Sequence, residues 1–136
     1  MNSTQKYKTT SLPTLIKRAT GYFNTYIRNR DVFGKYFRCI SCNKIKSLAH
    51  INAGHFYSAG QYPTVRFDER NVHAQCVQCN LHLHGNLVEY RKNLINKIGV
   101  DEFEKLEAKA LQSKRGYKID RAAIILIIEK YKLLTN

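Results

Sequence analysis

Two Cys-x-x-Cys pairs constrain most strongly what this chain can fold into. They are Cys39 with Cys42 and Cys76 with Cys79, and they hold all four cysteines of the sequence. Each pair can form a tight turn that presents two thiolates, and two such turns fit a tetrahedral zinc site with four cysteine ligands. The segment between the pairs is too long for a minimal zinc ribbon, so we expect further structure inside it.

Two disulfides are the alternative use of four cysteines. The first residues, MNSTQKYKTTS, lack the apolar stretch of a secretion signal, and no apolar run reaches the length of a membrane span. Paired Cys-x-x-Cys spacing in such a chain favours metal over disulfides. The sequence therefore predicts a soluble, intracellular protein with a structural Zn²⁺ held by Cys39, Cys42, Cys76 and Cys79.

The charge balance indicates the class of partner. The 136 residues include 23 Lys and Arg against 10 Asp and Glu, a net charge of +13. One zinc ion with four thiolates would lower this to about +11. A basic surface of this size attracts polyanions, so DNA is the predicted partner and no membrane is expected. The alternative is a solvated basic surface with no partner.

Helical periodicity appears at both ends of the chain. Residues 1–12 lack periodicity and are predicted to be a flexible basic arm, followed by a single domain over 13–136. Ser11-Leu12-Pro13 is typical of a helix start. Further helices are predicted over 86–98 with Gly99 as the stop, from Asp101 as N-cap to about Leu111, and after Asp120 as N-cap.

The middle of the chain carries weaker signals. Residues 45–53 and 56–67 are partly apolar and are predicted to form short strands and an Ω-like loop. A short helix is expected after the second cysteine pair. The fold class predicted is α+β, with a core over 37–98 and C-terminal helices over 101–135.

The last helix has a broad apolar face. Internal packing is one interpretation of this face, and a homodimer interface is the other. A third function class, a protein-interaction scaffold, would also use it. The face consists of Ala123, Ile124, Ile127, Ile128, Tyr131 and Leu134.

Several polar residues near the cysteines suit phosphodiester hydrolysis. This reaction needs a base that activates water and a cation that stabilises charge on the phosphate and the leaving oxygen. His55 follows a glycine, and Asn80 directly follows Cys79, so a zinc site would fix the position of Asn80. His82 lies within the next turn.

These residues resemble a known family. The pattern of the cysteine pairs with His55, Asn71 and Asn80 resembles an HNH, or ββα-metal, endonuclease with a structural zinc. The chain resembles more closely the phage lambda NinG (Rap) recombination proteins. The segments that carry this resemblance are Ala53-Gly54-His55, Val65-Arg66-Phe67, Asn71-Val72-His73, Gln75-Cys76, Cys79-Asn80, His82-Leu83 and Gly85-Asn86-Leu87-Val88-Glu89-Tyr90-Arg91.

The resemblance implies a structure-specific endonuclease that cuts branched DNA such as Holliday junctions and D-loops. It implies a zinc-stapled, treble-clef-like ββα-metal core flanked by helices, a phage or prophage origin and a location in the bacterial cytoplasm. By the family pattern His55 is the general base, Asn71 orients it, and Asn80 holds a catalytic Mg²⁺ or Mn²⁺ with help from His82. Gly54 departs from the pattern, because many members carry a metal ligand there.

Other interpretations of the same residues stay open. His55 could be a structural histidine, and Asn71 and Asn80 could be ordinary turn or cap residues. A non-catalytic zinc module that binds nucleic acid explains the cysteines and the charge equally well. The candidate DNA-binding residues are Arg28, Arg30, Arg66, Arg91, Lys114 and Arg115.

Overall fold

The computed structural model describes residues 3–136. These residues form two compact units, of which the first combines the chain up to Tyr26 with Lys118–Asn136 and the second is Ile27–Tyr117. This grouping differs from the single domain predicted over 13–136. Within the described residues, no helix combines the length and the apolar character needed to cross a bilayer.

The chain mixes helices with two small antiparallel sheets, which confirms the predicted mixed helix-and-sheet class. The elements are α1 (Ser3–Lys6), α2 (Leu12–Asp31), β1 (Val32–Phe33), β2 (Tyr36–Arg38), β3 (Ile45–Ser47), β4 (Ile51–His55), β5 (Val72–Cys76), α3 (Leu87–Ile98), α4 (Val100–Leu111) and α5 (Arg121–Leu134).

The first unit gives defined contacts to a segment predicted as a flexible arm over 1–12. Its first two residues lie outside the described part, and α1 follows them. Tyr7 is buried and its hydroxyl donates to Glu129 Oε1 at 2.7 Å. The Arg121 guanidinium donates to the carbonyls of Tyr7 and Thr10. The contacts with Arg121 are made by backbone carbonyls and do not depend on which side chains those residues carry. Hydrophobic periodicity in the sequence therefore cannot predict them.

Helix α5 buries only part of its predicted apolar face. Asp120 caps it as predicted, with Oδ1 accepting from the Ala122 N–H at 3.0 Å. Ile124, Ile128 and Tyr131 are buried, and Phe23 packs edge-on against Tyr131 with ring centroids 5.0 Å apart. The exposed members of the predicted face are Ala123 and Leu134.

The second unit contains both sheets. Strands β1, β2 and β3 form one antiparallel sheet in that order, and β4 pairs with β5 in the other. The register of the second pair runs from Ile51 opposite Cys76 to His55 opposite Val72. The short strands and loop predicted over 45–53 and 56–67 are found as β3, β4 and, over 56–67, a loop with a short 3₁₀ turn at Pro63–Val65. Strand β4 pairs with β5, whose five residues are all buried.

Two helices close this unit. Helix α3 ends at Gly99, as predicted, with φ at +88°. Helix α4 begins at Val100 with Gly99 as its N-cap, so the prediction of Asp101 as the cap is wrong. Asp101 and Glu102 lie instead in the first turn, where carboxylates interact favourably with the helix dipole. The buried cluster between these helices and the loops consists of Ile40, Val65, Tyr90, Leu94, Phe103, Leu106 and Ala110.

Gly54 lies at the most crowded point of β4. A Cβ on this residue would overlap Oε1 of Gln75, which is fully buried. From the helix side, the buried Tyr90 hydroxyl donates to the Gly54 carbonyl at 2.6 Å. Strand β4 is therefore enclosed by β5 and α3 just before His55, and no side chain fits at position 54.

We expect Gly54→Ala to destabilise the protein by about 1–3 kcal/mol, because Gln75 would have to move and break its buried hydrogen bonds. Urea unfolding followed by circular dichroism measures this. Gly60→Ala is the matched control, since nothing lies within 4 Å of its added Cβ. If the two variants are equally stable, the close approach of Gln75 does not exclude a side chain at position 54.

Candidate metal centre and active-site cavity

Four cysteine sulfurs converge in the second unit. The Sγ atoms of Cys39, Cys42, Cys76 and Cys79 all lie within 4.8 Å of one another. The Cys42 and Cys76 sulfurs are 3.9 Å apart, close to the edge of about 3.8 Å in a tetrahedron with Zn–S bonds of about 2.3 Å. No pair is joined as a disulfide. The cluster can therefore hold a metal ion, and its donor set is consistent with zinc.

Hydrogen bonds also point at the sulfurs. The Cys76 N–H donates to Cys39 Sγ at 3.3 Å, and the Asn86 side-chain amide donates to Cys79 Sγ at 3.5 Å. Burial raises the pKa of Cys42, Cys76 and Cys79. These sulfurs therefore favour the thiol form unless a cation stabilises the thiolates.

A buried polar network joins the cysteine cluster to the segment that follows it. Gln75 Nε2 donates to Ser41 Oγ at 2.8 Å and to the Gly85 carbonyl at 2.6 Å. Ser41 Oγ donates to the same carbonyl at 3.1 Å, and the Gly85 N–H donates to the Cys79 carbonyl at 2.8 Å. Ser41 lies between two cysteines of the first pair, so the cluster and the loop at Gly85 are positioned together.

A cavity of about 320 Å³ opens beside this network. It brings His55, from the end of β4, together with Asn80, from the π-helical turn Gln78–His82. The sequence predicted both residues as functional. The residues that line the cavity are Ala53, His55, Phe56, Ser58, Ala59, Asn80, His84, Gly85 and Leu87.

The hydrogen bond of His55 defines its tautomer. His55 Nε2 lies 2.9 Å from the Arg66 carbonyl, and a carbonyl can only accept, so Nε2 carries the proton. The lone pair of the neutral ring is then on Nδ1. Burial, helped by the positive charge of Arg66, lowers the pKa of His55 below its ordinary value of 6.5. A neutral histidine with its lone pair on Nδ1 can accept a proton at neutral pH.

Asn71 holds the loop that carries Arg66. Its Oδ1 accepts from the Tyr57 N–H at 2.8 Å, and its Nδ2 donates to the Tyr57 and Val65 carbonyls at 3.0 and 3.1 Å. Asn71 is fully buried and is not among the residues lining the cavity. Asn71 contacts the loop next to the Arg66 carbonyl, which accepts from His55. It therefore supports the position of His55 through that loop and not by direct contact.

The two histidines after Asn80 differ in position. His82, which the resemblance assigns to the metal site, is exposed and does not line the cavity among the described residues. His84, which has no role among the predictions from sequence, is also exposed but does line the cavity. The sequence feature that could have drawn attention to His84 is the Gly85-Asn86 pair that follows it. Both residue types favour the left-handed backbone found there, and so predict a tight turn at this point.

Arg30, which the sequence analysis predicted to bind DNA, makes its hydrogen bonds and ion pair within the second unit. Its guanidinium donates to the Glu69 and Val72 carbonyls, at 2.9 and 2.8 Å, and pairs with Asp31 at 2.8 Å. Burial alone would raise the pKa of Asp31, but bonds from Arg30 and from the Ala74 N–H lower it to about 2. Arg30 thus stabilises the fold.

His73 belongs to the same internal network. Arg30 donates to its Nδ1 at 3.1 Å, and its Nε2 donates to the Arg70 carbonyl at 2.8 Å. Burial, with the charges of Lys97 and Arg30, lowers its pKa to about 3. His73 is therefore neutral and structural.

The other candidate DNA-binding residues are more accessible. Arg91 is exposed and lies over the Phe103 ring at 5.0 Å, and exposed Lys114 lies 4.5 Å from the Tyr62 ring centroid. Arg115 is exposed, while Arg28 and Arg66 are half-buried.

Comparison with known proteins identifies the family. The family model for the bacteriophage lambda NinG protein matches residues 2–136. The chain belongs to the NinG family. The ninG protein of Escherichia phage 933W is 46% identical to it over 121 residues, which cover 89% of this chain and 58% of that protein. The ninG proteins of Salmonella phage P22 and Escherichia phage lambda are 45% and 44% identical over 93 residues, covering 68% of this chain and 44% of each relative.

The NinG chain described here thus spans about half the length of the curated relatives it matches. No solved structure shows significant similarity to it. Within the family, the cysteine pairs, His55, Asn71 and Asn80 all lie in the matched region.

We expect the purified chain to contain one equivalent of zinc, and a strong chelator to unfold the second unit. A structural zinc contributes about 10–16 kcal/mol in small modules, which exceeds the stability of most domains. Elemental analysis measures the metal, and circular dichroism with and without chelator measures the fold. Cys79→Ser should lose the metal, whereas Ser47→Ala, an exposed change outside the cluster, should retain it. A chain that stays folded with no metal would contradict this assignment.

Proposed function

We propose that this NinG chain is a metal-dependent DNA endonuclease of the HNH, ββα-metal type, acting on branched recombination intermediates such as Holliday junctions or D-loops. The observation that carries the proposal is that His55 and Asn80, from separate elements, line one cavity. The order of β4, β5 and α3 along the chain, with β4 paired to β5 and with β4 and α3 contributing to the cavity wall, agrees with a ββα arrangement. The four-cysteine cluster beside Asn80 agrees with a structural zinc.

His55 supplies the base. With Nε2 held by the Arg66 carbonyl, Nδ1 accepts the proton of a water molecule as its oxygen attacks phosphorus. The bond from water oxygen to phosphorus forms, and the bond from phosphorus to the leaving sugar oxygen breaks. The leaving oxygen then takes a proton from solvent. The lowered pKa keeps His55 neutral and ready for this step near pH 7.

The polar residues of the cavity fit a divalent cation. The imidazole of His84, the amide oxygen of Asn80 and the Ser58 hydroxyl are nitrogen and oxygen donors. Asn80 would hold a Mg²⁺ or Mn²⁺ ion, which when bound stabilises negative charge on the phosphate and the leaving oxygen. Asn80 is fixed because Cys79, its neighbour, belongs to the cysteine cluster.

The basic surface supports DNA as the substrate. Three basic residues, Arg91, Lys114 and Arg115, are exposed on the second unit. They can contact phosphates without breaking a buried interaction. Phosphate contacts position a nucleic acid but do not read its sequence. This fits an enzyme that selects DNA by shape.

Shape selection at a junction would follow if two active sites faced the same DNA. A homodimer through α5 would supply them. Leu126 and Leu133 are 70% and 75% exposed on this helix and offer apolar surface for a second copy.

We expect the parent chain to cut a four-way junction faster than a linear duplex of the same sequence, and only with Mg²⁺ or Mn²⁺ present. His55→Ala should lower the cleavage rate by about 10²–10⁴-fold, the usual contribution of a general base. His50→Ala is the control, because His50 is an exposed histidine outside the cavity. Labelled DNA resolved on denaturing gels gives the rates.

The same experiment separates the rival function. DNA binding without cutting, unchanged by His55→Ala, would identify a non-catalytic zinc module. Equal cutting of junction and duplex would retain the nuclease and remove the branch specificity.

The cleavage rate should also depend on pH in a specific way. Only neutral His55 acts as a base, so the rate is lost as pH falls through its pKa. Burial lowers that pKa below 6.5, so the midpoint of the fall in rate should lie at a pH below 6.5. Single-turnover rates from pH 5 upward, with folding checked at each pH, measure this. A midpoint above 6.5 would contradict the assignment of His55.

A further inference from the structure

We infer that His84, rather than His82, is the second protein ligand of the cation in the cavity, and that this ligand set favours Mn²⁺ over Mg²⁺. The inference rests on the proposed function, because it specifies the cation site of the same cavity. Both histidines are exposed, but His84 lines the cavity with Asn80 and His82 is not among the lining residues.

The backbone holds His84 in an uncommon conformation. Three consecutive residues have positive φ: His84 at 51°, Gly85 at 90° and Asn86 at 44°. For a residue with a Cβ, the left-handed region costs roughly 1–2 kcal/mol. Such conformations persist where the surroundings determine them strongly, and they are concentrated at functional sites.

Buried groups on both sides determine this loop. The Gly85 carbonyl accepts from Gln75 and Ser41, which are at most 1% exposed, and its N–H donates to the Cys79 carbonyl. The Asn86 N–H donates to the Leu83 carbonyl at 2.8 Å. His84 therefore extends from a loop that is bonded to the same cysteine segment that carries Asn80.

Among residues 3–136, no other strong ligand lies on the cavity wall. Gly54 has no room for a side chain, because Gln75 occupies that space. The nine residues that line the cavity include no carboxylate. His55 is not free to bind the cation, because in the proposed reaction its Nδ1 lone pair accepts the proton of water and its Nε2 donates to the Arg66 carbonyl. Asn80 and His84 are thus the remaining donors with a strong preference for cations.

This donor set determines the choice of metal. Mg²⁺ prefers oxygen ligands, usually carboxylates and phosphates, and gives up water reluctantly. An imidazole and an amide, without a negative charge, bind Mg²⁺ poorly and suit a first-row transition ion better. Among these ions Mn²⁺ is the one that also suits carbonyl and phosphate oxygen, although it binds nitrogen ligands less tightly than the later ions of the series.

The test measures metal binding directly, on the zinc-loaded full chain and without DNA. Substoichiometric Mn²⁺ broadens the NMR signals of nearby nuclei, so the broadening of His55 and Asn80 resonances reports the cavity even at weak occupancy. In His84→Gly, which keeps the left-handed backbone, we expect Mn²⁺ binding to weaken about tenfold or more. His50→Ala should leave the broadening unchanged.

A conservative change tests the ion preference. His84→Asp retains a ligand and tolerates the left-handed conformation, and it should shift the preference of binding and cleavage from Mn²⁺ toward Mg²⁺. Zinc content and circular dichroism confirm that each variant is folded.

The outcomes separate this inference from the proposed function. Mn²⁺ broadening that survives His84→Gly, or that is lost in His82→Ala instead, would overturn the role of His84 while leaving the endonuclease intact. Mn²⁺ binding lost in His84→Gly, in a chain that cuts no DNA, would support the site and refute the enzyme.

Discussion

The second unit depends most on the convergence of four cysteine sulfurs from two turns far apart in sequence. Close thiolates repel one another, so a cation is needed for all four to ionise at the distances found here. The consequences extend beyond the ligands, because Ser41 lies within the first pair, Gln75 directly precedes Cys76, and Asn80 directly follows Cys79. A bound cation would therefore fix the walls of the cavity through residues adjacent to its ligands in sequence. Folding and site formation are then one event, and a metal-free chain should have neither.

Buried polar side chains give this unit its specific arrangement. Asn71, His73 and Gln75 are buried on or next to β5, and each bonds to a different segment: the loop at Tyr57, the end of α2, and the loop at Gly85. Apolar packing tolerates small shifts, whereas directional hydrogen bonds hold one register. A slip of one residue between β4 and β5 would turn these groups away from their partners. The buried Gln75 Oε1 has no hydrogen-bond partner among the described residues, and its contact with Gly54 keeps that position free of any side chain.

Local signals in the sequence were sufficient for the elements that depend on local physics. The cysteine spacing predicted the cluster, and periodicity with terminal Gly99 and Asp120 predicted the helices near their observed bounds. The pairing of β4 with β5 was not predicted, because the sequence of a short strand does not identify its partner and tertiary packing selects it. The site was predicted in part. His55 and Asn80 follow recognisable positions, but His84 depends on a left-handed loop fixed by Gln75 and Ser41, and no local pattern contains that long-range bond.

Burial, which the sequence does not state, decides which basic residues remain accessible to a polyanion. Arg30 and Arg91 are chemically identical, yet Arg30 is bonded to Asp31 and to two backbone carbonyls, while Arg91 lies on the surface over Phe103. Arg70 is likewise paired with Asp68 and Glu102. The net charge of +13 therefore overstates how many basic side chains are free of internal contacts and accessible to a partner. Exposed charges attract any polyanion, and their contribution is screened by salt. In the proposed endonuclease, discrimination among DNA shapes would come from where the cavity allows a phosphate to reach His55, and from how many such cavities one substrate can engage.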